Sequence, residues 1–115
     1  MTTYYHNARC SKSRDALALL RERGIEPNIV AYLEQPPGVA EITTLLAQLG
    51  FTDARQLMRQ GEAEYKELDL ANPALSQVAL IEALAAHPRL IERPIFVHAG
   101  KAVIGRPPER VLELL

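Results

Sequence analysis

Tyr5-His6-Asn7-Ala8-Arg9-Cys10-Ser11-Lys12-Ser13-Arg14 holds the one cysteine of a 115-residue chain, at a point where strand-forming sequence gives way to helix-forming sequence. Upstream, Met1 to Tyr5 predicts a strand, because Thr2, Thr3, Tyr4 and Tyr5 all favour extended backbone. Downstream of Ser13, residues Ala16, Leu17 and Leu20 recur on one side of a helix. Arg14, Asp15, Arg21 and Glu22 recur on the other. Cys10 is therefore expected in the strand-to-helix turn or at the helix N-terminus. Free backbone N–H groups and the helix dipole favour negative charge there.

That placement governs the thiol. A free cysteine ionises near pH ~8.5, and only the thiolate is a nucleophile. Lowering that value by about two units takes roughly 2.7 kcal/mol of preference for the charged form. A helix end supplies about 0.5 to 2 kcal/mol of it. Arg9, Lys12 and Arg14 are candidates for the remainder, and His6 is placed to donate a hydrogen bond to the sulfur. Groups that hold a thiolate also hold an oxyanion beside it, Ser13 and Arg14 included. A lone cysteine is often just a small buried hydrophobe. Three cations within four residues argue against that here, because an inert thiol gains nothing from them.

Spacing excludes several chemistries. Ser13 occupies the place a second cysteine would need for a C-x-x-C dithiol. A phosphatase-type loop needs an arginine six residues after the cysteine, where this chain has Ala16. One cysteine without a Cys/His cluster makes no zinc site, and no glycine-rich phosphate loop occurs. Any redox cycle must borrow its other thiols from outside the chain.

Composition is that of an ordinary globular protein, 48% hydrophobic and 23% charged, and predicts one domain spanning 1–115. A net charge of −1 gives no reason to expect nucleic-acid or membrane binding, and the chain reads as a monomer. No signal peptide is apparent, and Glu82 interrupts the longest apolar stretch. With a single cysteine, a reducing cytoplasm is the expected home.

Further along, Gly24 and Pro27 should end the first helix. Asn28 to Leu33 reads as a second strand, apolar enough to be internal and reached by a right-handed crossover. Gln35 to Leu75 then reads as a helical insertion rather than a second domain. Its first helix carries Ile42, Leu45, Leu46 and Leu49 and closes at Gly50, and Thr52 or Asp53 caps a short second one. Ser76 should cap a helix burying Leu80, Ile81 and Leu84 and ending at His87-Pro88. Ile95 to His98 and Lys101 to Ile104 flank Ala99-Gly100 as an antiparallel hairpin of open turn type. Pro107-Pro108 starts a final helix with Val111, Leu112 and Leu115 facing inward. The order predicts an α/β fold, a four-stranded mixed sheet flanked by helices. His87, His98 and the four tyrosines read as structural. Arg59, Arg93 and Arg106 each read as surface arginines unless the fold brings them together.

His6 to Arg14, together with Tyr32-Leu33-Glu34, Leu57-Met58-Arg59, Glu92-Arg93-Pro94-Ile95 and Gly105-Arg106-Pro107-Pro108, resembles the glutaredoxin-coupled arsenate reductase family. The likeness runs in order along essentially the whole chain. It implies a thioredoxin-like fold with a helical insertion after the second strand, with Cys10 as nucleophile and His6 tuning its ionisation. It makes Arg59, Arg93 and Arg106 the holders of arsenate, and Arg93-Pro94 a cis bond. Glutathione as co-substrate and glutaredoxin as partner are implied too; no tightly bound cofactor or metal is. The Cys-Ser-Lys-Ser-Arg turn belongs to a chromosomal branch of that family, where plasmid-borne members carry a Cys-Gly-Thr type turn. Two other readings fit the fold. One is a general glutathione-dependent thiol oxidoreductase acting on mixed disulfides or another oxyanion. The other is a non-enzymatic RNA-polymerase-binding regulator, which usually carries the C-x-x-C that Ser13 interrupts.

Overall fold

A computed structural model describes residues 2–115, which fall into two compact units, 2–35 with 93–115, and 36–92.

The first unit is built on a four-stranded sheet of order β2-β1-β3-β4. β1 (Thr2–His6) pairs parallel with β2 (Asn28–Ala31) and antiparallel with β3 (Ile95–His98), which pairs antiparallel with β4 (Lys101–Ile104). The sheet is thus mixed, as the element order predicts. In the register Tyr4 stands beside Phe96, and Phe96 beside Val103. This row shares one face because side chains alternate along a strand. With Ala16, Leu17 and Leu20 of α1 (Ser11–Glu22) and Val111 it forms a buried apolar cluster. Fully burying each large side chain stabilises by about 1.5–3 kcal/mol.

Two local devices set the ends of these elements. Gly24 takes φ +78° after α1, and the Gly24 and Ile25 N–H groups donate to Arg21 and Leu20 carbonyls. This double bond with a left-handed glycine closes a helix, and Ile25 packs back on the cluster that contains Leu20. In the β3–β4 hairpin both Ala99 and Gly100 have positive φ, 52° and 80°. That is the type I′ geometry whose twist matches the strands.

Several expectations are corrected. β2 is a sheet edge rather than an internal strand, and it stops at Ala31 with Asn28 and Ile29 exposed. Ile29 lies in the same row as Tyr4, but at the edge it keeps 38% of its surface. α1 begins at Ser11, two residues before the apolar periodicity starts, since first-turn residues need not be apolar. The last helix, Pro108–Leu114, is 3-10 rather than α; it buries Val111 but leaves Leu115 exposed. A 3-10 helix advances three residues per turn, so an α-type stripe does not stay on one side.

The second unit carries α2 (Val39–Leu49), a 3-10 turn (Ala54–Leu57), α3 (Ala63–Glu67), α4 (Gln77–Ala86) and a further 3-10 turn (Pro88–Leu90). It extends to Glu92, beyond the expected limit at Leu75, because α4 packs on α2. Ile42, Leu45 and Leu46 are buried on α2, and Leu80, Ile81 and Leu84 on α4. Asp53 rather than Thr52 caps the 54–57 turn, in a reciprocal box with Gln56. Ser76 Oγ accepts the Ala79 N–H at 3.1 Å, capping α4 as expected. The Arg55 guanidinium donates to the Leu70 and Asn72 carbonyls, both at 2.7 Å, and so fastens the 69–72 loop. Among the described residues no helix is long and apolar enough to cross a membrane.

Candidate active site

Asn7 shapes the loop between β1 and α1. Its carbonyl accepts the Cys10 N–H at 3.0 Å, and its side-chain oxygen accepts the Arg9 N–H at 3.1 Å. Asparagine does this in turns because its side chain imitates a backbone carbonyl. Cys10 is left as the N-cap of α1, in extended conformation (φ −94°, ψ 121°), half-buried and in the free thiol form. Its carbonyl accepts the Arg14 N–H at 3.1 Å, the first bond of the helix. The next amides have no carbonyl four residues back within the helix. Those of Lys12 and Ser13 belong to the helix end that Cys10 caps, and they act to lower the ionisation of its thiol.

Burial alone raises the Cys10 thiol. The Ser13 N–H, the Arg93 charge, the Lys12 N–H and a hydrogen bond from Arg93 together outweigh it and hold the group below its ordinary value. Amides do what the sequence assigned partly to cations, and the cation that acts is Arg93 rather than Arg9, Lys12 or Arg14.

Arg93 arrives from the start of β3. Its peptide bond to Pro94 is cis, as the resemblance implies; so is Arg106-Pro107, which was not anticipated. The Nε and Nη1 atoms of Arg93 are buried and have no hydrogen-bond partner. Buried guanidinium donors are rarely left unmet. Beside a thiol, two such donors suit an oxyanion, since a guanidinium presents its N–H groups in a planar fork.

His6 and Ser13 are brought together, but not as expected. His6 Nδ1 lies 2.7 Å from Ser13 Oγ, which also accepts the Asn7 N–H at 3.1 Å. The His6 ring therefore engages the serine, and the serine hydroxyl is committed to the loop. Burial first, then Arg21 and Arg14, push His6 below its usual value and favour the neutral ring. Arg14 itself is exposed, and its Nη1 donates to the Ala8 carbonyl at 2.8 Å, bracing the loop.

Arg106 follows β4 and is exposed. Arg59 belongs to the second unit, where Nη1 pairs with Glu62 Oε1 at 2.7 Å. Two contributors escaped the sequence reading. Tyr4, read as a core aromatic, also donates its hydroxyl to the Ser13 carbonyl. Gly105 donates its N–H to the Pro94 carbonyl at 2.9 Å and leaves no space for a side chain. A lone glycine between a strand and Arg-Pro-Pro was the available signal for the second. Nothing in the pattern marked the first. Among the described residues no group of three His, Cys, Asp or Glu side chains could hold a metal.

Residues 5–114 match the model of the ArsC family. The chain is 58% identical over 111 residues to an uncharacterized protein, YfgD, of Escherichia coli K12, covering 96% of this chain and 93% of that one. It is 50% identical over 111 residues to an arsenate reductase of Haemophilus influenzae, covering 96% of each. Among solved structures, an arsenate reductase from Vibrio cholerae superimposes with TM-score 0.97 at 53% identity, covering 99% of this chain and 97% of that one. A putative arsenate reductase from Yersinia pestis does so with TM-score 0.94 at 58% identity, covering 98% and 99%. Arrangement and relatives agree: the fold is thioredoxin-like, and the chain belongs to the ArsC family.

Proposed function

We propose that this protein reduces arsenate to arsenite, with Cys10 as nucleophile and external thiols completing the electron transfer. The observation that carries this reading is a half-buried thiol at the N-cap of α1, held below its ordinary ionisation by helix-end amides and by Arg93, whose guanidinium has two buried, unmet N–H donors. Relatives named arsenate reductase at 50% identity support it.

In the first step the Cys10 thiolate attacks arsenic, an As–S bond forms, and one arsenate oxygen leaves as water after protonation. Arg93 holds the remaining oxyanion charge and Arg106 is proposed to share it; the resemblance assigns Arg59 a part in arsenate use as well. Arsenic must then take two electrons. Cys10 and one molecule of glutathione supply them and leave as a mixed disulfide while arsenite departs. Glutaredoxin reduces that disulfide and restores the thiol, so a second cysteine in the chain is not needed. A groove of about 290 Å³ beside the loop, with Arg9 and Glu34 among its lining residues, offers the second thiol room to approach. The cycle suits a reducing cytoplasm.

The test is arsenate-dependent NADPH oxidation with glutathione, glutaredoxin and glutathione reductase. Turnover by the wild type and none by Cys10→Ser is the expected result. Wild-type turnover on glutathionylated disulfides but not on arsenate would replace this reading with that of a general thiol oxidoreductase.

A further inference from the structure

Ser13 is fully buried, so each of its polar atoms needs a partner. Its hydroxyl is engaged by His6 Nδ1 and the Asn7 N–H. Its carbonyl receives the hydroxyl of Tyr4, a side chain with no exposed surface. Tyr4 lies on β1 in the row facing α1, between Ile29 and Phe96, and its ring is 5.5 Å from that of His6. The ring could serve the core equally well as phenylalanine, which would have no hydroxyl to satisfy. The hydroxyl instead reaches the first turn of α1, the turn that Cys10 caps.

We infer that Tyr4 is a positioning residue for the nucleophile, its hydroxyl holding the first turn of α1 so that the unpaired amides of that turn stay at the end Cys10 caps. This rests on the reading of Cys10 as a reactive thiol and deepens it. Three attachments lock one residue: Tyr4 on the carbonyl, and His6 and Asn7 on the hydroxyl. A first-turn helix residue has no i−4 carbonyl to hold its N–H, so without such locks the turn frays. The phenol itself stays neutral, because burial raises its ionisation and only the protonated form can donate to the Ser13 carbonyl. Charged groups around the network are few. Arg93 faces the sulfur, Arg14 and Arg21 face His6, and Cys10 and Asp15 face the phenol.

The experiment is the pH profile of Cys10 alkylation by iodoacetamide, in wild type and Tyr4→Phe, without arsenate. Below the inflection, Tyr4→Phe should react about 3- to 10-fold more slowly, the loss expected for one neutral hydrogen bond. The plateau rate at high pH should be unchanged, and the inflection should move up. A profile superimposable on the wild type would overturn the inference, even if the variant melts earlier. If Tyr4→Phe does not fold, 3-fluorotyrosine at position 4 keeps the ring and strengthens the donor. The inflection should then move down, and no movement would overturn the inference. A wild-type inflection at the ordinary cysteine value would instead defeat the reading of Cys10 itself.

Discussion

Gly105 and Pro94 are in contact across the end of the sheet: the Gly105 N–H donates to the Pro94 carbonyl at 2.9 Å, and a Cβ on Gly105 would lie 2.9 Å from Pro94 Cγ. The same Cβ would meet Val111 Cγ1 at 3.0 Å. The ring next to Arg93 is thereby seated against the strand end and the last helix. Gly105→Ala should lower stability by about 1–3 kcal/mol, the usual cost of overpacking, measured as a urea midpoint. It should also slow Cys10 alkylation, because Arg93 is carried by the displaced proline. An unchanged midpoint would mean that the ring has room to move.

Arg93→Ala removes the guanidinium that acts to lower the ionisation of the Cys10 thiol. Its alkylation inflection should rise, and arsenate kcat/KM should fall about 10- to 150-fold, the loss of one charged hydrogen bond. Arg93→Lys should recover the first property better than the second, since an ammonium supplies charge but not a planar fork. Arg106→Ala and Arg59→Ala should weaken arsenate use while leaving the alkylation profile in place. Wild-type arsenate kinetics in either would return that arginine to the surface class.

His6 makes stability depend on pH in a defined direction. Its folded-state ionisation lies below its ordinary value of 6.5, through burial and then Arg21 and Arg14. The unfolded chain therefore binds the extra proton more readily. Stability should be full above about pH 6.5 and decline as the pH falls through the lowered value. His6→Gln should flatten that slope in urea melts taken between pH 7.5 and 5. An equal slope in the variant would assign the acid sensitivity elsewhere.

Asp53 provides a test confined to the helical unit. Its carboxylate accepts the Arg55 N–H at 2.9 Å, the first of the contacts that hold it below its ordinary range. Asp53→Ala should cost about 0.5–2 kcal/mol, the usual loss of a cap. Asp53→Asn should cost less at neutral pH, since the amide oxygen can still cap. Because the carboxyl is depressed when folded, its contribution is present above its unfolded value and lost as the pH falls through the folded one. Wild type and Asp53→Asn should thus converge in acid, and a constant gap down to pH 3 would contradict the assignment.

Local patterning was enough to place Cys10 at the β1–α1 junction, to read the βαβ–helices–ββα order, and to find the Ser76 cap, because each depends on residues within a turn or two. Strand order was not legible in the same way. Asn28 to Leu33 is as apolar as an internal strand, and pairing with β1 on one side alone made it an edge. What surrounds the sulfur also lay beyond local reading. Nearby Arg9, Lys12 and Arg14 suggested themselves because they are adjacent in sequence, yet the acting cation is Arg93, 83 positions later. Adjacent residues on a helix start point in different directions, whereas a strand paired beside β1 delivers its preceding loop to the same end of the sheet. Sequence by itself singled out the sulfur as the candidate nucleophile and placed it at a helix end. Tertiary structure alone decided which guanidinium meets it, and that a buried tyrosine holds the serine beneath it, since both contacts cross between strands and helix.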